Sequence, residues 1–298
     1  MKYISVTEAS KRWGITDRRI RILCNEGRID GAIRLGWSWT IPDDTPKPRD
    51  GRVLRRFKNL DIRPGSVDVA LLDRLSSEHP VTDDLRESEG YRRLISSSIA
   101  ALLAFSGEDI PSEAIESVYG GNISDGLTLS SHLLLINFRA LMLSAVHQKE
   151  RWCEKDLREA YVRLMQGIDD IGSDSYRKGF TRYPLKDNEK IRVDVQMETL
   201  FSQYEGSWKN LNGLISGVLL FGELLRIEPF SQCSTLLSYA VLSGELMRKG
   251  LLPPYISADS VDELRASFSL ALKRGNYQNF TSFIERAVVR SYKELFDV

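Results

Sequence analysis

The residues with the clearest capacity for chemistry lie in a short loop between two apolar runs. Residues 214–225 precede the loop and residues 236–247 follow it, both with apolar side chains at the three- and four-residue spacing of a buried helix. The loop carries a carboxylate, Glu228, and a thiol, Cys233. A loop that leads into a helix presents free N–H groups and the positive end of the helix dipole, a geometry that binds phosphate. The loop therefore has the shape of a phosphate site, but the side chains that phosphate chemistry needs are missing from it.

Both reactive side chains of the loop have a chemical and a structural interpretation. Glu228 is either a base that accepts the proton of a target hydroxyl or a plain carboxylate at a helix end. As a base it would stand beside an anionic phosphate, which repels it unless a metal ion or an arginine intervenes. Cys233 is either a thiol activated at a helix start or a small side chain packed in the core. The structural interpretation is favoured for Glu228 because Leu236 and Gln232 supply neither a metal ligand nor a cation. It is favoured for Cys233 because every histidine is remote from the loop (His79, His132 and His147).

The loop resembles the signature motif of the Fic (Fido) family, whose members transfer AMP or another phosphate-containing group to protein hydroxyls. That motif runs His-Pro-Phe-x-Asp/Glu-Gly-Asn-Gly-Arg-x-x-Arg, of which this chain keeps Pro229 and Phe230. The other positions differ, with Glu228 for the histidine, Gln232 for the metal-binding acid, Cys233, Ser234 and Thr235 for Gly-Asn-Gly, and Leu236 and Tyr239 for the arginines. The resemblance implies a degenerate active site with no assigned catalytic residue, no cofactor and no metal. The alternative is an enzyme that still transfers AMP from ATP with Mg²⁺, through Glu228 and the loop hydroxyls.

A second element of the family is also altered in this chain. Many members carry a regulatory helix with Ser/Thr-x-x-x-Glu-Gly/Asn, whose glutamate pairs with the second motif arginine and blocks nucleotide binding. The run SSSIAA at 96–101 is similar, with Ser96 kept and Ala100 and Ala101 in place of the glutamate and glycine. The joint loss of the inhibitory glutamate and of its arginine, at Tyr239, is expected if no activity remains to be restrained. The alternative is an ordinary amphipathic helix.

The resemblance covers residues 85–292, most of which have helical periodicity. The exception is 176–193, which is similar to the family's flap, a hairpin that holds target peptides by strand addition. The flap therefore indicates a site for a protein partner. The helices are predicted near 67–77, 86–105, 111–119, 129–149, 154–169, 194–205, 210–225, 235–249, 260–274 and 277–296.

The first fifty residues have a different pattern, two short helices followed by a hairpin. Ser5 and Glu8 have the spacing of a capping box, which predicts a helix that begins here and stops at Gly14. Thr16 is expected to cap a second helix over 17–25, so that the turn between the helices is of helix-turn-helix type. The run IDGAIRLGWSWTIP then alternates apolar and polar residues, as a β-hairpin does.

This head resembles the winged helix-turn-helix of excisionase and MerR-type DNA-binding proteins. Residues 1–58 carry fourteen lysines and arginines against seven acids, a net charge of +7, so the rest of the neutral chain carries −7. A basic head on an acidic body predicts that residues 1–50 bind DNA. The contacts are expected from Thr16, Arg18, Arg19, Arg21, Arg34 and Trp37, because arginine suits phosphate and guanine. The alternative is that the arginines only form a solvated helix face.

Length and composition set the domain organisation and the cellular setting. A chain of 298 residues accommodates about two domains, expected at 1–50 and 67–298 with a proline-containing linker at 51–66. Three cysteines without metal-ligand spacing predict a reduced, cytoplasmic setting. No apolar run reaches the roughly 20 residues of a membrane span, so no membrane association is expected.

These patterns combine into one prediction of fold and function. The fold class is mainly α, a small winged helix-turn-helix followed by an all-α Fic-like domain with a β-hairpin flap. The function predicted is that of a DNA-binding regulator whose degenerate Fic-like domain binds a partner or forms a homo-oligomer. The alternatives are a Fic-type enzyme with altered chemistry and a scaffold that does not contact DNA.

Overall fold

The computed structural model of this chain describes residues 3–25, 29, 31–36, 38–47, 62–146, 150–168, 175–184 and 191–296. The chain divides into two compact units, residues 1–56 and 57–298. No helix within the described ranges combines the length and the apolar character that crossing a membrane requires.

The described residues of the small unit form two helices and a three-stranded antiparallel sheet. Its elements are β1 (Tyr3–Ser5), α1 (Val6–Trp13), α2 (Asp17–Asn25), β2 (Ile33–Leu35) and β3 (Ser38–Pro42), with sheet order β1-β3-β2. The hairpin of β2 and β3 agrees with the alternation in the sequence. The strand β1 was not predicted, because its three residues are defined only by distant pairing, such as Tyr3 with Pro42.

Local capping sets the helix ends of the small unit. The backbone N–H of Ser5 donates to Glu8 Oε2 at 2.8 Å, and the N–H of Glu8 donates to Ser5 Oγ at 3.2 Å, which is the predicted capping box. Gly14 ends α1 in the left-handed conformation, with φ of 63°. Thr16 Oγ1 accepts the N–H of Arg19 at 3.3 Å and caps the start of α2.

In the residues that the structure describes, the regular structure of the large unit is helical. Its elements are α3 (Val69–Glu78), α4 (Asp83–Glu87), α5 (Glu89–Ser106), α6 (Ser112–Tyr119), α7 (Leu129–Val146), α8 (Glu154–Leu164), α9 (Val193–Glu205), α10 (Gly213–Ile227), α11 (Ser234–Met247), a 3₁₀ turn (Ala258–Ser260), α12 (Val261–Arg274) and α13 (Gln278–Phe296). The mainly α fold expected from the sequence is therefore present.

Two predicted helices differ from the structure. The helix expected over 86–105 is two helices, because Ser88 interrupts the chain and its Oγ caps α5 by accepting the N–H of Tyr91 at 3.1 Å. The helix expected over 154–169 ends at Leu164 and continues as turns. Residues 62–66, at the end of the predicted linker, belong to the large unit, and the N–H of Arg63 donates to Gly275 O at 2.9 Å.

Helices α10 and α11 form the centre of the large unit and are buried along almost their whole length. A buried ion pair lies inside α10, where Arg226 Nε donates to both carboxylate oxygens of Glu223 at 3.0 and 2.9 Å. Neither side chain is exposed to solvent. Tyr277 donates its hydroxyl to Glu223 at 2.7 Å, and Arg226 also donates to Gln196 of α9. This network fixes the end of α10, from which the candidate site begins.

Candidate functional site

The loop between α10 and α11 is held in a strained conformation. Glu228, directly after α10, has φ of 48°, and Cys233, directly before α11, has φ of 55°. These are the residues other than glycine that have positive φ in the described part of the chain. Ser234 closes the loop, since its Oγ accepts the N–H of Phe230 at 3.3 Å and donates to Phe230 O at 3.1 Å. The Ser234 hydroxyl is therefore already engaged within the loop.

The two residues kept from the Fic motif have packing roles here. Phe230 is buried, and its ring stacks on Tyr161 of α8 with centroids 3.8 Å apart and an interplanar angle of 11°. The carbonyl of Pro229 accepts the N–H of Arg177 at 2.9 Å. The Arg177 guanidinium also donates to Ile227 O at 3.0 Å and to Glu228 O at 2.5 Å. Arg177 thus satisfies free carbonyls at the end of α10, a role that the sequence analysis missed.

A cavity of about 400 Å³ opens beside the loop. Its lining comprises Leu103, Ser106, Glu108, Ser130, Ser131, Leu134, Ile168, Glu228, Phe230, Ser231, Gln232, Cys233, Ser234, Thr235 and Leu236. Within the described lining both charged side chains, Glu108 and Glu228, are acidic, and no lysine, arginine or histidine contributes. Arg182 lies outside the lining and approaches Glu228, with Nε 3.8 Å from Oε2. The described side chains of the lining therefore give this cavity a negative charge.

Cys233 lies at the start of α11, yet its surroundings oppose ionisation. Burial, and secondarily the negative charge of Glu108, raise the pKa of Cys233 to about 12. A thiol with this pKa is almost entirely protonated at neutral pH. The interpretation of Cys233 as a packed side chain is favoured over that of an activated nucleophile.

The positions of the two motif arginines lie in the core. Leu236 and Tyr239 are buried, with relative exposures of 1% and 0%. The Tyr239 hydroxyl donates to Pro254 O at 3.0 Å, and burial raises the Tyr239 pKa. Leu236 contributes an apolar side chain to the cavity lining, and Tyr239 is not among the described lining residues. Neither position supplies a positive charge to the cavity.

Helix α5, which contains the stretch 96–101, contacts the first turn of α11 beside the motif loop. Ser106 donates its hydroxyl to Thr235 Oγ1 at 2.8 Å. Ser96 and Ala101 are buried and Ala100 is half-buried, so this stretch packs against the core. No carboxylate lies at Ala100 to act on a nucleotide.

The predicted flap is described only at its base, because 185–190 lie outside the described residues. Phe180 and Arg192 form a single antiparallel bridge. The N–H of Thr181 donates to Ile191 O at 2.9 Å, which closes the two arms of the segment. Phe180 and Tyr183 are large side chains that remain 48% and 40% exposed.

In the small unit, α2 buries one face and exposes the other. The buried face comprises Ile20, Leu23 and Cys24, which pack with α1 and β3. Arg18 and Arg21 are exposed and Arg19 is half-buried. Trp37, which was also predicted to contact DNA, lies outside the described residues.

The predicted DNA-contacting residues differ in whether their side chains already have a polar partner within the protein. Thr16 uses its hydroxyl to cap α2. Arg21 Nη2 lies 4.0 Å from the Asp17 carboxylate, whose pKa is lowered by hydrogen bonds from Ser10 and Thr7. Arg34 is exposed on β2, and neither Arg18 nor Arg34 has an ion-pair partner among the described residues. These two arginines are the most available to an anion.

Neither a protein-family model nor a curated protein matches the sequence. Solved structures do match in fold. A fragment of Fic-1 from C. elegans has a TM-score of 0.60 at 16% identity, covering 83% of this chain and 71% of that chain. A Fic family protein from Desulfovibrio desulfuricans has a TM-score of 0.61 at 16% identity, with 79% and 76% covered. A Fic domain containing signaling protein from Bacteroides thetaiotaomicron has a TM-score of 0.60 at 13% identity, with 76% and 95% covered.

At these identities the likeness establishes the fold and not the chemistry. In the described residues, no group of three or more histidine, cysteine or acidic side chains is arranged to hold a metal ion. The helical part of this chain has the fold of Fic-domain proteins.

Proposed function

We propose that this chain is a DNA-binding regulatory protein with a winged helix-turn-helix head and a catalytically degenerate Fic-fold unit. The observation that carries the proposal is the two-sided character of α2. Its apolar face is used by the core, and Arg18 and Arg21 are left exposed. The exposed Arg34 lies in the same unit on β2.

The chemistry of these arginines suits a nucleic acid. A guanidinium donates two parallel hydrogen bonds to a phosphate or to O6 and N7 of guanine. In helix-turn-helix proteins the N-terminal residues of the second helix contact base edges in the major groove. Arg18 occupies that position on α2, which starts at Asp17. The hairpin of β2 and β3 would then place Arg34 against the DNA backbone beside that groove.

The charge of the motif-loop cavity supports the loss of catalysis. Phosphoryl and nucleotidyl transfer depend on cations that neutralise the phosphate oxygens. Here Glu108 and Glu228 face the cavity, and the positions of the motif arginines are the buried Leu236 and Tyr239. A nucleotide polyphosphate would meet repulsion from both carboxylates.

In this proposal the Fic-fold unit binds either a protein partner or a second copy of this chain. The base of the flap exposes Phe180 and Tyr183, and aromatic side chains are enriched at protein interfaces. In this role the segment 176–193 recognises an extended peptide through its backbone, which needs no catalytic residue.

The DNA part is tested by fluorescence anisotropy of the full chain on a mixed-sequence duplex at low salt. Arg18→Ala combined with Arg34→Ala is expected to weaken binding at least about tenfold, because each lost contact costs on the order of 1 kcal/mol or more. Arg163→Ala is the matched control, since it removes an exposed arginine from the large unit. Equal affinities of the double variant and the control would overturn the proposal.

The catalytic part is tested separately by calorimetry of the full chain with ATP and Mg²⁺. No heat of binding is expected up to about 1 mM ATP, which corresponds to roughly −4 kcal/mol. Binding tighter than this, and lost in Glu228→Ala, would instead support a Fic-type enzyme with altered chemistry.

A further inference from the structure

A second cavity, of about 310 Å³, lies in the large unit and shares no lining residue with the motif-loop cavity. Four helices line it: α4, α5, α6 and α7. The lining comprises Arg86, Glu87, Tyr91, Arg92, Tyr119, Arg139, Met142 and Leu143. Three arginines from three different helices therefore converge on one cavity, in a unit whose overall charge is negative.

The three guanidinium groups differ in how they are satisfied. Arg86 is held in place, because it pairs with Asp83 and donates Nε to Thr82 O at 3.2 Å. Neither Arg92 nor Arg139 has an ion-pair partner in the described part of the chain. Nε of Arg92 is buried and makes no hydrogen bond. A buried donor without an acceptor has a free-energy cost, which an anionic ligand would remove.

Two tyrosine rings and two aliphatic side chains form the uncharged part of the lining. Tyr91 and Tyr119 are each only 3% exposed. The guanidinium of Arg139 lies over the Tyr119 ring, 5.9 Å from its centroid, which orients the side chain. Met142 and Leu143 of α7 complete the lining. The volume lies in the range of small-molecule sites.

We propose that this cavity binds a small organic phosphate monoester, with the phosphate between Arg92 and Arg139 and the organic part against Met142 and Leu143. Two arginines without ion-pair partners among the described residues match the charge of a phosphate monoester, which is close to −2 at neutral pH. A planar guanidinium fork binds phosphate oxygens in pairs. Glu87 is exposed at the cavity and is the one acidic residue of the described lining.

The test is calorimetry of the full chain with phenyl phosphate as the probe. Phenyl phosphate is expected to bind, and Arg92→Gln and Arg139→Gln are each expected to weaken binding at least about tenfold. Arg163→Gln, which removes the same charge from an exposed position, is expected to change the affinity less than about twofold. Benzenesulfonate, with the same ring and a single negative charge, is expected to bind at least about fivefold more weakly.

A second measurement on the unaltered chain locates the ligand. Hydrogen exchange with phenyl phosphate present is expected to slow at residues 86–92 and 139–143. Protection at 228–236 instead, no binding at 10 mM probe, or equal weakening by Arg163→Gln would each overturn the proposal. A phosphorylated peptide that bound tenfold more tightly than phenyl phosphate would assign the site to a protein partner and overturn the small-molecule assignment.

Discussion

The buried pair of Glu223 and Arg226 gives the sharpest stability prediction. Glu223→Ala removes the carboxylate that accepts from Arg226 Nε at 3.0 and 2.9 Å and from the Tyr277 hydroxyl at 2.7 Å. The Arg226 cation would then remain fully buried without its countercharge. Breaking such a pair costs about 3–5 kcal/mol, and the orphaned hydroxyl adds about 1 kcal/mol. We therefore expect a loss of at least about 4 kcal/mol in the free energy of unfolding.

Urea unfolding followed by circular dichroism measures this loss. With an m-value of about 3 kcal/mol/M, a loss of 4 kcal/mol lowers the midpoint by about 1.3 M. The control is Glu263→Ala, which breaks an exposed pair with Arg286 and is expected to cost no more than about 1 kcal/mol. Glu223→Leu combined with Arg226→Met is expected to cost less than the sum of its single changes. If Glu223→Ala and Glu263→Ala shifted the midpoint equally, the reasoning about burial would be refuted.

Three further predictions concern the motif loop and its surroundings. Tyr239→Phe removes the hydrogen bond to Pro254 O at 3.0 Å and is expected to cost about 1 kcal/mol in urea titrations; no change would contradict that bond. Phe230→Ala removes the ring stacked on Tyr161 and is expected to cost about 3–5 kcal/mol, and a loss below 1 kcal/mol would show that the ring is not a core anchor. The folded-state pKa of Cys233 is raised from 9.0 to about 12, so the unfolded chain loses the thiol proton at a lower pH than the folded chain does. The stability that the protonated Cys233 contributes is therefore fully present below pH 9 and is lost as the pH rises towards 12. Iodoacetamide labelling of Cys233 at pH 7, read by mass spectrometry, is accordingly expected to be at least about a hundredfold faster in urea than in the folded chain, and equal rates would refute the shielding.

Most helix boundaries could be predicted from the sequence because their causes are local. The start of α1 follows from the Ser5 and Glu8 capping box, and its end from Gly14. The helices α11 and α13 follow from apolar spacing over long windows. The interruption of the predicted helix at Ser88 also has a local cause, since the Ser88 hydroxyl caps α5. It was not predicted because the apolar spacing continues across Ser88.

The features that sequence analysis missed depend on contacts between distant residues. Strand β1 exists only through its pairing with β3. Arg177 meets the end of α10 across about fifty residues of chain, and its own neighbourhood gives no sign of that role. The charged residues Glu223 and Arg226 inside an apolar run were a usable signal of a buried pair. The sequence gives no sign that Arg86, Arg92 and Arg139 line one cavity, because they meet only when three helices pack together.

The electrostatics of the candidate site were not predicted from the sequence. The resemblance placed the candidate site in the loop from Glu228 to Thr235, and the structure has a cavity beside this loop. The contribution of Glu108 was not expected, because this residue follows α5 and lies far from the loop in the sequence. Its charge also raises the Cys233 pKa, against the lowering expected at a helix start.

The salt dependence of DNA affinity tests the central claim most directly. If Arg19, Arg21 and Arg34 each neutralise one phosphate while Arg18 contacts a base edge, the logarithm of the affinity of the full chain should fall against the logarithm of salt concentration with a slope of about −2.7. Arg18→Ala combined with Arg34→Ala should reduce the slope to about −1.8, and Arg163→Ala should leave it unchanged. A slope near zero, or the same slope for the double variant and the unaltered chain, would contradict DNA binding by the head.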